Sequence, residues 1–218
     1  MIMKTLIAFS RKWQGLMLAT LFCTSLLLIR VAVTENFRFI FLIWNLILAY
    51  VPLVVSLYLR RNPGLKLWKV CLFSLVWLLF YPNAAYIVTD LMHLTKQYRH
   101  IAWFDSLMIF SFAITAMFSG VISILIMKQV LSHYLPNIVL KYFLLFMMPL
   151  TGFGIYLGRF ERWNSWDILT NPHSLILNCF HNLANTKALA VSFAVGGCLY
   201  IVLLLLKQAS QIIYDQDL

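Results

Sequence analysis

The sequence predicts an all-α polytopic membrane protein: a bundle of about six transmembrane helices with a short amphipathic helix in the last outer loop. Composition is the first observation behind this. Of the 218 residues, 62% are hydrophobic and 11% charged, and the mean hydropathy is +0.86. Continuity is the second. Apolar residues come in runs near the ~20 that a helix needs to cross a bilayer core, not in the alternation of barrel strands. The third is what separates the runs: polar residues collect in two clusters, 82–93 and 158–167. Lipid offers backbone groups no hydrogen bonds, so helices are the form such runs must take.

The spans fall at 13–33, 39–59, 68–88, 104–127, 140–157 and 188–206, within one integral membrane domain covering 1–218. The first carries no charge until Arg30. Lys4 precedes only a short apolar stretch, and Phe22-Cys23 fits a lipidation signal poorly, so this segment reads as a retained helix. The second span holds Asn45 and Pro52. The third ends in Pro82-Asn83, expected to kink or unwind its last turn. Small residues at Ala113, Ala116, Ser119, Gly120 and Ser123 suit the fourth to close packing. The fifth, with Pro149, Gly152, Gly154 and Gly158, is expected to bend most. In the sixth, Ala190, Ala194 and Gly197 offer another close contact.

Between the fifth and sixth spans, Asn171 and Pro172 open a short helix. Leu175, Ile176, Cys179, Phe180 and Leu183 form its apolar stripe, with His173, Asn178, His181 and Asn182 largely off it. It reads as a surface element, either a lid on the bundle or a lipid-sensing helix.

The net charge of +10 would suggest nucleic acid on a soluble domain. Here the basic residues flank apolar segments and anchor helix ends at headgroups, so the expected partners are membrane lipids, not nucleic acid. Trp13, Trp68, Trp77, Trp103, Trp163 and Trp166 fit interfacial belts. Cys23, Cys71, Cys179 and Cys198 show no CxxC spacing, so neither a zinc ribbon nor a disulfide framework is indicated.

Six spans put both termini on one face. With that face cytoplasmic, the inner segments hold Lys4, Arg11, Lys12, Arg60, Arg61, Lys66, Lys69, Lys128, Lys141 and Lys207. The outer ones hold Arg30, Arg38, Lys96, Arg99, Arg159, Arg162 and Lys187. Ten basic residues inside against seven outside is a positive-inside pattern. Glu35, Asp90, Asp105, Glu161 and Asp167 all fall outside, with His93, His100, His173 and His181. The outer boundary is therefore chemically diverse and the inner one nearly all basic, apart from the C-terminal acids and His133.

Candidate chemistry concentrates at that outer boundary. The third span delivers Asn83, Tyr86, Thr89, Asp90 and His93. Thr89 as a cap would place Asp90 and His93 on one helical face. Asn45 enters from the same side, about 9 Å below the boundary at 1.5 Å per residue. Trp103 and Asp105 open the fourth span, and the fifth brings Tyr156, Arg159, Arg162, Asn164, Ser165 and Asp167. Arg159 and Arg162 have two readings: a tether pairing with Asp90, Glu161 or Asp167, which is slightly favoured, or a fork for phosphate on a headgroup or lipid-linked ligand.

Asp90, His93, Asp105 and Asp167 are the candidates for acid–base work, with His93 as a base. Ser165 lacks the Gly-x-Ser-x-Gly elbow of a nucleophile. A divalent metal on Asp90, His93 and Asp105, with Asp167 or His173, is a minority reading. No Walker, Rossmann, haem or iron–sulfur signature is present, so no such cofactor is expected.

These motifs resemble the bacterial domain-of-unknown-function family numbered 1361. The resemblance runs through Trp44-Asn45-Leu46, Pro82-Asn83-Ala84-Ala85-Tyr86, Thr89-Asp90-Leu91, His93 and Trp103-Phe104-Asp105. It continues through Gly154-Ile155-Tyr156-Leu157-Gly158-Arg159-Phe160 and Arg162-Trp163-Asn164-Ser165-Trp166-Asp167, covering roughly 39–206. It implies a multi-pass bacterial inner-membrane protein and candidate positions, without an activity. Members often carry Pro at Ala85 and an apolar residue at Glu161; that carboxylate would neutralise Arg159 or Arg162 and weigh against phosphate.

Three functions remain open on the sequence. One is an outward-facing site that binds or processes a phosphate-bearing or otherwise polar lipid-linked ligand, as an enzyme or not. Another is a small-solute transporter, for which Pro52 and Pro149 would supply broken helices but no span supplies a deep ionisable group. The last is a non-enzymatic membrane subunit or homo-oligomer, joined through the small-residue faces of the fourth and sixth spans.

Overall fold

The computed structural model describes residues 2–93 and 101–216, with side chains over 13–91, 101–209 and 211–212. Among the described residues, six helical stretches are long and apolar enough to cross a membrane: Trp13–Thr34, Phe41–Arg61, Leu67–Leu91, Ala102–Leu131, Asn137–Arg159 and Thr186–Ala209. The chain is an all-α polytopic bundle. Its elements are α1 (Ile2–Thr34), α2 (Phe41–Arg61), α3 (Leu67–Phe80), α4 (Asn83–Tyr86), a 3-10 segment (Ile87–His93), α5 (Ala102–Leu131), α6 (Asn137–Arg159), α7 (Asp167–Thr170), α8 (Pro172–Leu183) and α9 (Thr186–Gln216).

The third span breaks where Pro82-Asn83 says it should. Pro82 cannot donate to the Leu78 carbonyl, and the Asn83 side chain donates to Phe80 O at 2.9 Å, offering the backbone a non-helical partner. The chain restarts as the single turn α4 and then tightens into the 3-10 segment. Pro52 and Pro149 do not break their helices, as a transporter reading would have them do: α2 and α6 run on through them. A lone proline removes one donor, which a packed membrane helix tolerates; the proline–asparagine pair does more.

α2 lies along α5, α6 lies along α9, α3 rests on α2, and α1 packs on α5. α5 is central. Ala113, Ala116, Ser119, Gly120 and Ser123 are all buried, and Gly120 faces the Ala84 methyl of α4 closely. Ser119 Oγ donates to Ala49 O at 3.2 Å, and Ser123 Oγ accepts the Trp77 indole N–H at 2.8 Å. Trp77 is thus a core residue, 2% exposed and stacked on Tyr81, not part of an interfacial belt.

The close face of α9 is also not the one expected. Ala190 and Ala194 are exposed, and a Cβ on Gly197 would meet nothing. The contact is made by Ala188, Ser192 and Gly196, four residues apart. A Cβ at Gly152 would overlap the Ser192 backbone, and one at Gly196 would lie 2.7 Å from Met148 and Pro149. The small-residue face of α5 and the Ala188, Ser192 and Gly196 face of α9 are therefore used inside this chain, while Ala190, Ala194 and Gly197 lie off that contact. Large apolar side chains such as Leu21, Ile47, Phe146, Phe193 and Leu205 instead point outward, as lipid-facing positions do.

Candidate functional site

α2 and α3 stay in contact with each other, whereas α6 touches α3 where Phe143 stacks on Trp77 and otherwise meets this half of the bundle mainly through α4 and α5. The wedge left open is a cavity of about 620 Å³, within the usual range of ligand sites, about 300–1,000 Å³. Leu48, Leu78, Leu150 and Phe153 line its apolar part; Asn45, Asn83, Asp90, Arg159, Asn164 and Ser165 line its polar part. α6 can approach the break after α3 because it presents glycine there. A Cβ at Gly154 would overlap Pro82 Cγ, and one at Gly158 would sit 3.0 Å from the Tyr86 ring.

The polar end is built on one ion pair. Arg159, in the last turn of α6, donates from Nη2 to Asp90 Oδ1 at 2.7 Å and from Nε to Thr89 Oγ1 at 2.9 Å. Its guanidinium lies over the Tyr86 ring, 4.9 Å from the centroid. Asn45 Nδ2 donates to the other Asp90 oxygen at 2.9 Å. The side chains of Asp90 and Arg159 are 2% and 13% exposed. A charge removed from water this far must be paired and hydrogen-bonded, and both conditions are met. The Arg159–Asp90 tether read from sequence is present.

Asn83 and Ser165 fasten the break. Ser165 Oγ donates to Leu79 O at 2.9 Å and accepts from Asn83 Nδ2 at 3.0 Å. With the Asn83 bond to Phe80 O, two carbonyls at the end of α3 are satisfied by side chains. The Ser165 proton is thereby directed to a carbonyl, the opposite of what a nucleophile needs. Trp166 meets Trp44 edge-on at 6.1 Å between centroids, closing the cavity between α2 and the loop.

Several candidates are used elsewhere. Asp105 is bound to Arg30, Nε to Oδ1 at 2.7 Å, with side-chain exposures of 6% and 1%; Arg30 also bonds Thr34 and lies over Phe39. That pair clips α1 to α5 and does not line the cavity. Asp167 braces its own loop, accepting from Asn164 N at 2.7 Å and Thr170 Oγ1 at 3.2 Å. Arg162 is exposed, at φ 62°, and lets Trp163 N turn back to Leu157 O. Thr89 does not cap a helix: it sits inside the 3-10 segment and donates to Tyr86 O. His93 ends that segment, but its side chain lies outside the described residues, as do Lys96, Arg99 and His100. Among the described residues no three His, Cys, Asp or Glu side chains group as a metal site.

Glu161 pairs with neither arginine expected of it. It accepts from Tyr156 Oη at 3.1 Å and Asn178 Nδ2 at 3.1 Å, in a network that includes Asn182 and Asn185. This network joins α6, α8 and the start of α9. α8 accordingly turns Leu175, Cys179 and Asn182 inward and leaves Ile176, Phe180 and Leu183 exposed, so the expected single stripe divides. Asn185 was not among the candidates; the Asn178-x-x-x-Asn182-x-x-Asn185 spacing is the signal that could have found it. Burial pushes the Cys179 thiol above its ordinary value.

A helical bundle with six membrane-capable spans and a cavity apolar at one end and hydrogen-bonding at the other defines a multi-pass membrane protein with a composite pocket. The chain belongs to the family described as protein of unknown function (DUF1361), whose model matches residues 44–202. That stretch includes the cavity residues from Trp44 through Cys179. Curated proteins and solved structures give no match.

Proposed function

We propose that the cavity binds an amphiphile, a polar lipid or lipid-linked molecule, with its headgroup at Asn45, Asp90 and Arg159 and its chain along Leu78, Leu150 and Phe153. The observation that carries this is the division of one cavity into an apolar wall at span depth and a polar end. Trp44 of α2 and Leu150 of α6 both line the cavity and are 53% and 45% exposed, so the space between these helices is open, which supports entry of a chain from the bilayer. Thr89, Asn83, Tyr86 and Ser165 position the polar groups; Asn164 lies at the rim. No reaction is assigned to them.

The same reading places the chain in a bacterial cytoplasmic membrane, termini inside and the polar end at the outer boundary. The distribution of basic and acidic residues supports that direction.

Native mass spectrometry of the full chain in detergent tests the binding. Wild type is expected to retain lipid, and Leu150→Trp, which fills the cavity, to lose it while remaining folded. Equal lipid retention by both would overturn the proposal.

A further inference from the structure

We infer that the headgroup is uncharged and hydroxyl-bearing, a glycosyl or polyol lipid, not a phosphate ester; the inference rests on the amphiphile reading above. Charge is the first ground. Among the described residues, the charged side chains lining the cavity are Asp90 and Arg159, bonded to each other. The pair brings no net charge to a place where water screens little. A phosphate would have to break it or leave its own charge unbalanced there; an uncharged headgroup requires neither.

Hydrogen-bond polarity is the second ground. A carboxylate only accepts and a guanidinium only donates, whereas a hydroxyl does both and so can bridge them. Asn45 and Asn83 add amide carbonyl oxygens at the same end, their Nδ2 groups already donating to Asp90 and to Phe80 O and Ser165 Oγ. The third ground is aromatic. Trp44, Trp163 and Trp166 line the cavity beside these polar groups, and a sugar ring matches such a surface, with apolar C–H faces and a hydroxylated rim.

Binding by the full chain in detergent is measured for monoglucosyl diacylglycerol, phosphatidic acid and diacylglycerol with matched acyl chains. The glucosyl lipid is expected to bind at least ~10-fold tighter than either of the others, a difference of about 1.4 kcal/mol. Asp90→Asn leaves the Arg159 charge unbalanced and is expected to shift the preference at least ~10-fold toward phosphatidic acid. Trp166→Leu, which leaves the ion pair intact, is expected to weaken the glucosyl lipid alone by at least ~10-fold. Equal binding of all three lipids, or tighter binding of phosphatidic acid by wild type, overturns the headgroup inference and leaves the amphiphile reading standing. Binding of none of them overturns both.

Discussion

Arg30 and Arg159 each end on a buried aspartate, and their surroundings separate the two pairs. Arg30–Asp105 lies inside the α1–α5 contact, whereas Arg159–Asp90 lines the cavity. Arg30→Met strands a buried carboxylate and is expected to cost about 3–5 kcal/mol in thermal or denaturant unfolding. Adding Asp105→Leu should restore most of that and leave lipid binding intact. Arg159→Met with Asp90→Leu should recover stability in the same way yet bind no lipid. Asp105 was grouped with Asp90 on sequence because both fall at one boundary; that Arg30, a few residues from the end of its own span, would claim it depends on how α1 and α5 face. Arg162 is different again: its left-handed backbone costs about 1–2 kcal/mol. Arg162→Gly is expected to stabilise the fold by up to about that amount without weakening lipid binding, and a loss of binding would return Arg162 to the site. Cys179 titrates above its ordinary value, so less of it is thiolate at neutral pH. Its alkylation should be slower than in the denatured chain and should rise with pH later than the denatured chain's does, and bound lipid should slow it further.

At the scale of elements, the docking of α6 on the break after α3 decides whether a cavity exists. Gly154→Leu would force the Pro82 ring and α6 apart, at a cost of about 1–3 kcal/mol for overpacking, and lipid retention should fall with it. The break was legible because Pro82 and Asn83 act together, one removing a donor and the other supplying a competing one. Pro52 and Pro149 carried the same cue in weaker form and left their helices continuous. α9 shows another limit. Ala190, Ala194 and Gly197 and the true contact face of Ala188, Ser192 and Gly196 both offer small residues at helical spacing, and the seating of α6 at Gly152 and at Met148 and Pro149 distinguishes them. In α8 the apolar stripe was visible but its division was not, since lipid and protein interior accept the same side chains. The inward turn of Asn182 depends on Tyr156 and Glu161, which hydropathy does not register.

For the whole molecule, helix count was the most informative quantity. Six spans bring the third and fifth to one boundary, and the 2.7 Å contact between Arg159 and Asp90 meets that requirement. Sidedness has its own test. In a chain cleared of its four cysteines, Asn164→Cys should react with an impermeant maleimide added to intact cells; protection until the cells are opened would reverse the orientation. The cavity itself is most directly tested by photo-crosslinking a lipid that carries a diazirine in its acyl chain to the full protein in membranes. Crosslinks are expected on Leu78, Leu150 and Phe153 and should disappear from them in Leu48→Trp. Crosslinks confined to outward-facing positions such as Ile47, Phe146 and Phe193, and unchanged by that substitution, would contradict an amphiphile held between α2, α3 and α6.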